Sequence, residues 1–303
     1  IRRQEDDLRT LARRELYRLL APDRSTGAYV PEALLRSFSR DDVVAFHRRH
    51  YRPEGAVAVV TGDIDLETLQ DQLERTFGTW QPSGGGPVAL PTLAEGPEPK
   101  VDHVQKQATQ SAIVMGTLTV TIDHPDAPAL TVANSILGGA GVLQHRLATE
   151  LRLRRGLAYI AYSELPLARA FPGHFAVIVL TRADATARVI ELMKAELRRL
   201  IDEPIPAEEL EANRQYIFNN AVFQYETPAD VVAMRAAAEL FGLPPDHYER
   251  FVERVHSLTP EDVQAAARRW LAPDRLIPLV VGDEDQFDRP LDVFGEVESI
   301  VLD

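Results

Sequence analysis

Cysteine is absent from all 303 residues. The chain therefore has no disulfide, no thiolate zinc ligand, no iron–sulfur cluster and no cysteine nucleophile. The absence leaves the compartment open, because a thiol-free chain suits reducing and oxidising surroundings alike. Basic residues are in the minority, with 33 Lys and Arg against 46 Asp and Glu and a net charge of −13. That balance disfavours nucleic acid, whose phosphates need a basic surface, and it would attract basic peptides. Long apolar runs are missing too: none approaches the roughly 18 residues that a membrane span requires. What remains is ordinary globular composition, 45% hydrophobic and 26% charged, with length enough for two domains of roughly 150 residues. The chain opens on Ile1 and a charged stretch, neither an initiator Met nor a signal peptide. This predicts a piece of a longer, soluble protein, cytoplasmic or periplasmic.

Periodicity predicts helices over residues 2–20, 39–50 and 65–77, with an apolar strand at 56–62 between the last two. Residues 81–100 hold four glycines and five prolines and read as a linker. Beyond it, strands are predicted at 101–107, 111–121, 158–165, 173–180 and 276–282. Helices are predicted at 127–137, 142–155, 184–201, 207–223, 229–241, 246–255 and 259–271. The strands look mostly antiparallel and lie beside helices throughout, which predicts an α+β fold.

An internal repeat organises these elements. Residues 38–63 align without a gap on 258–283, at a constant offset of 220. Asp42, Val43, Ala45, Arg48, Arg49, Pro53, Val60, Gly62 and Asp63 recur as Asp262, Val263, Ala265, Arg268, Arg269, Pro273, Val280, Gly282 and Asp283. Duplication explains a run in which Arg-Arg, Pro and Gly-Asp all stay in register. The second copy starts near residue 101, so about 120 residues of the first copy are expected upstream of Ile1. The expected layout is the tail of a first domain over 1–80, a linker over 81–100 and a complete second domain over 101–303.

At this point the chain resembles the insulinase/pitrilysin family of zinc peptidases, which includes mitochondrial processing peptidases and core subunits of a respiratory complex. The resembling segments are 38–63, 136–162 and 281–302. The middle one is the most specific: Leu137-Gly138-Gly139, then Arg146-Leu147, then Arg152 and Tyr159 seven apart, with Arg155-Gly156-Leu157-Ala158 before the tyrosine. The resemblance implies two homologous α+β domains forming a clamshell. One domain carries zinc on an inverted His-x-x-Glu-His helix, where two histidines four apart reach one ion. The partner domain supplies an Arg and a Tyr, and here those positions are Arg152 and Tyr159, whose donors would bind a scissile carbonyl or its oxyanion. No His-x-x-Glu-His occurs in this chain. The zinc of the complete enzyme would belong to an upstream half or a separate catalytic subunit, and this chain would bind none and cleave nothing alone.

Other groups carry less. His47 and His50 are three apart with no Glu before His50, and they read as a solvated helix face. Gly138, Gly139 and Gly141 lack the Lys-Ser/Thr of a phosphate loop. The resemblance makes them a substrate-touching loop at the cleft mouth, and a plain turn between helices is the other reading. Two rivals stay open beside the peptidase half: an inactive partner or scaffold subunit, and a simple peptide-binding module.

Overall fold

The computed structural model describes residues 7–21, 30, 32–81, 100–139, 145–222 and 226–302. They divide into two compact units. The larger comprises Ile1–Tyr29, Pro91–Ile217 and Phe251–Asp303, and the smaller Val30–Leu90 and Phe218–Arg250.

The larger unit is built on a six-stranded sheet. Its strands are β1 (Val101–Gln105), β2 (Gln110–Leu118), β3 (Ala158–Glu164), β4 (His174–Arg182), β5 (Ile277–Gly282) and β6 (Val297–Ser299). They lie in the order β3-β4-β2-β5-β1-β6. β1 runs parallel to β5 and β6, and the other pairings are antiparallel. The fold is thus α+β on a mixed, mostly antiparallel sheet. The helices of this unit are α1 (Leu8–Leu20), α5 (Ala127–Leu137), α6 (Thr186–Asp202) and α10 (Pro260–Trp270). No helix among the described residues is long and apolar enough to cross a membrane.

Side-chain alternation sends the strands' residues to two cores. Ile113, Met115, Phe175, Val177 and Val280 join Leu130, Ile136, Val189, Ile190, Met193 and Val263 of α5, α6 and α10. Ala112, Val114, Ile178, Leu279 and Val281 face the opposite way and are covered by Leu11, Ala12, Leu16 and Leu20 of α1. A sheet buried on both faces explains why the central strands read as unbroken apolar runs. α1 sits very close to β2: a β-carbon on Gly116 would lie 2.6 Å from Leu16 Cδ2 and 3.0 Å from the Phe175 carbonyl oxygen.

At the far end of the same face, Glu164 of β3 accepts from the Tyr17 hydroxyl (2.7 Å) and from Arg13 (3.1 Å). His174 of β4 stands 3.7 Å from the same carboxylate. Burial pushes Glu164 up, but His174, Tyr17 and Arg13 together outweigh it and hold the carboxyl below its ordinary range. Burial and the bond to Glu164 push the Tyr17 phenol up to about 12.

The smaller unit contains α2 (Glu32–Ser37), α3 (Arg40–His50), α4 (Leu66–Phe77) and α8 (Pro228–Phe241). α7 (Ala207–Val222) and α9 (His247–Ser257) are divided between the two units, with the greater part of each in the larger one. Capping boxes start α3 at Ser39/Asp42, α8 at Thr227/Asp230 and α10 at Thr259/Asp262. No residue of α2, α3, α4 or α8 is buried. The strand expected at 56–62 is not formed, and Val57 and Val60 are exposed. Its repeat counterpart β5 lies between β2 and β1. Among the described residues nothing lies alongside 56–62 to complete a ladder, and a strand exists only through such pairing.

Candidate active site

The helix expected over 142–155 has a different form in its described part. Ala148–Arg154 is π-helical, a wide winding that recurs at functional sites. Gly156, at φ +62°, ends it in the left-handed region. The amide of Leu157 donates to the Leu151 carbonyl (2.8 Å), which turns the chain into β3. Within this segment Glu150 accepts from Arg155 (2.6 Å) and Arg154 (3.4 Å). The bonds from Arg155 and Arg154 hold its carboxyl below the ordinary range. Two of the three arginines are thus drawn back onto Glu150.

Arg152 is left over. Among the described residues no carboxylate pairs with it, and its guanidinium carbon lies 5.6 Å from the centroid of the Tyr159 ring, within cation–π range. Tyr159 reaches that position through a β-bulge: Ala158 pairs with Thr181 and Ile160 with Leu180, so Tyr159 has no partner on β4. Bulges redirect a side chain out of the strand's alternation, and Tyr159 is 73% exposed. The structure therefore brings together the two residues singled out in the sequence, by two local irregularities that no periodicity encodes. A cavity of about 400 Å³ lies between the start of α1 and the sheet, lined by Arg9, Lys106, Thr109, Gln110, Ile160 and Leu180 and by neither Arg152 nor Tyr159.

Gly138 and Gly139, at the C-terminal end of α5, lie against a different part of β3. The Ser163 amide donates to the Gly138 carbonyl (2.7 Å), and Gly139 forms a parallel bridge with Ser163. Both glycines are buried. A β-carbon on Gly138 would stand 2.6 Å from the Ser163 nitrogen, and one on Gly139 2.9 Å from the Ser135 Cα. Only glycine fits so close to backbone. Ser163 is four residues along from Tyr159, about 13 Å at strand rise. Gly141 lies outside the described residues.

The described residues do not assemble a ligand set for a catalytic zinc. Among the described residues no three of His, Asp, Glu and Cys come together. His47 stacks on Tyr51 (4.8 Å) and His50 packs on Phe46 (4.4 Å) instead of converging.

The family model for the peptidase M16 inactive domain matches residues 37–217. The chain belongs to the peptidase M16 family. An uncharacterized zinc protease of Mycobacterium tuberculosis is 27% identical over 237 residues, 77% of this chain and 53% of that protein. An uncharacterized zinc protease of Streptomyces coelicolor is 24% identical, over 77% of this chain and 51% of its own length. This M16 chain spans about half the length of the curated relatives it matches. Among solved structures, the peptidase M16 inactive domain from Pseudomonas fluorescens superposes with a TM-score of 0.83 at 23% identity, covering 96% of this chain and 68% of that one. A protease from Helicobacter pylori gives 0.71 at 18% identity, covering 90% and 70%. These likenesses carry the fold, and the family match makes this chain the non-catalytic half of a peptidase-type fold.

Proposed function

We propose that this chain closes the cavity of a zinc-dependent peptidase of insulinase/pitrilysin type and presents Arg152 and Tyr159 to the scissile peptide bond. The supporting observation is that Arg152 is spared by Glu150 and held against an exposed Tyr159. Its guanidinium is thereby oriented without being neutralised. In this reading the Arg152 N–H groups and the Tyr159 hydroxyl donate to the carbonyl oxygen of the bond being cleaved. Those bonds strengthen as negative charge develops on the oxygen. Gly138 and Gly139 fix the end of α5 against β3. Metal and its ligands are supplied by an upstream half of the same protein or by a separate catalytic subunit.

The test uses the complete assembly. Tyr159→Phe and Arg152→Ala should each lower kcat by about 100-fold, the usual effect of removing one oxyanion donor, while peptide binding measured separately is retained. Unchanged turnover in both variants removes the role. Loss of binding with kcat preserved would make the pair a peptide clamp.

A further inference from the structure

The helical segment that carries Arg152 starts on a histidine. His145 stands just before the first helical residue, Arg146, and is buried. Its Nδ1 accepts from the Ala148 amide (3.1 Å), and its carbonyl accepts from the Thr149 amide (3.0 Å). This is the arrangement of an N-cap, with an imidazole nitrogen where a side-chain oxygen usually accepts. α3, α8 and α10 begin instead on the hydroxyls of Ser39, Thr227 and Thr259, which accept at any pH. An imidazole nitrogen accepts only while it carries no proton. The ring also hydrogen-bonds the backbone of Leu137, the last residue of α5. His145 thus joins the end of α5 to the start of the π-helical segment.

A proton on Nδ1 would act twice. It removes the acceptor for the Ala148 amide, and it sets a positive charge at the positive end of a helix. The other charges at this segment are already paired. Arg146 donates to Glu209 of α7 (2.9 and 2.5 Å), and Glu150 accepts from Arg154 and Arg155. Glu196, Arg199 and Glu203, which line the same hollow as Arg146 and Glu150, bond to one another. α5 and residues 140–144 carry no ionisable side chain, α7 adds Glu208, Glu211, Arg214 and Tyr216, and β3 adds Tyr159, Tyr162 and Glu164. Burial holds the His145 pKa below its ordinary 6.5, opposed by the bond to Leu137.

We infer that His145 is a positioning residue that makes the presentation of Arg152 depend on pH. Neutral, it caps the segment and keeps Arg152 against Tyr159; protonated, it frees the first turn and lets the guanidinium drift. With a depressed folded-state value, the cap is complete above about pH 6.5 and is lost as pH falls below that through the lowered value. This inference rests on the proposed role of Arg152 and Tyr159.

Two measurements on the complete assembly test it, at stepped pH from about 7.5 to about 5. Amide exchange over 148–154, corrected for intrinsic rates, should quicken by roughly fivefold in wild type as pH falls, the effect of losing one cap. In His145→Asn, whose side-chain oxygen accepts without titrating, it should stay level. The kcat of wild type should fall over the same range on a limb that His145→Asn lacks. His145→Asn should match wild type at the upper end of the range, with His145→Ala below both. His145→Ser repeats the test with a hydroxyl acceptor, so an unfolded Asn variant leaves the question decidable. Exchange that quickens equally in wild type and variants, or a kcat limb that the variants keep, would overturn the role of His145. Unchanged turnover in Arg152→Ala would instead overturn the peptidase reading beneath it.

Discussion

Glu164 shows how much one side chain can hold. Its carboxylate ties Tyr17 and Arg13 of α1 to the β3 end of the sheet, with His174 facing it from β4. Because its carboxyl is held below the ordinary range, the stabilisation is present above the unfolded-state pKa and disappears as pH falls through the folded one. Glu164→Gln should cost roughly 1–2 kcal/mol at pH 7, the scale of a partly solvated hydrogen bond to a charge. The gap between wild type and variant should narrow as pH falls from the ordinary carboxylate range through the lowered folded-state value. Chemical denaturation at stepped pH reads this directly, and a gap independent of pH would mean that the charge is not what matters. Arg152 and Tyr159 belong to the same scale. The family motif singles them out in the sequence, but their cation–π contact is not legible there. It depends on a π-helical winding and an unpaired bulge residue, and both result from how the chain packs rather than from any local pattern.

At the scale of elements, the sequence reading located most helices because their starts are chemically marked. Thr259-Pro260 and Ser39 begin helices where caps predict them, and α5 covers 127–137 as its period implies. Two strands behave differently. Residues 56–62 have the composition of a buried strand but no neighbour to pair with, and β6 is three residues long, too short for alternation to register. The seating of α1 is a property of elements as well. Gly116→Ala should destabilise by about 1–3 kcal/mol through overpacking against Leu16. In a Leu16→Ala background the same substitution should cost much less, a non-additivity expected of two groups in contact. Additive losses in urea denaturation would place α1 somewhere other than over β2. Which sheet face α1 would choose could not be read from its own apolar stripe, which specifies a face but not an owner.

At the scale of the whole molecule, acidity and duplication set the expectations. In the proposed peptidase role, the net charge of −13 carried by this chain should draw basic peptides toward it. Raising salt from 50 to 500 mM should then lower kcat/KM for a lysine-rich substrate several-fold, with little effect on a neutral one. Equal salt dependence for both would remove electrostatic steering. The order of the sheet has a separate effect on how the protein is made. β1 lies between β5 and β6, strands that leave the ribosome some 170 and 190 residues after it. The hairpin-like half, β2 with β4 and β3, can zip during translation, but β1 has no partner until residues 277–299 have emerged. Closure of this sheet is therefore a late, high-contact-order event. Until then an apolar strand edge stays open to chaperones or to a neighbouring nascent chain.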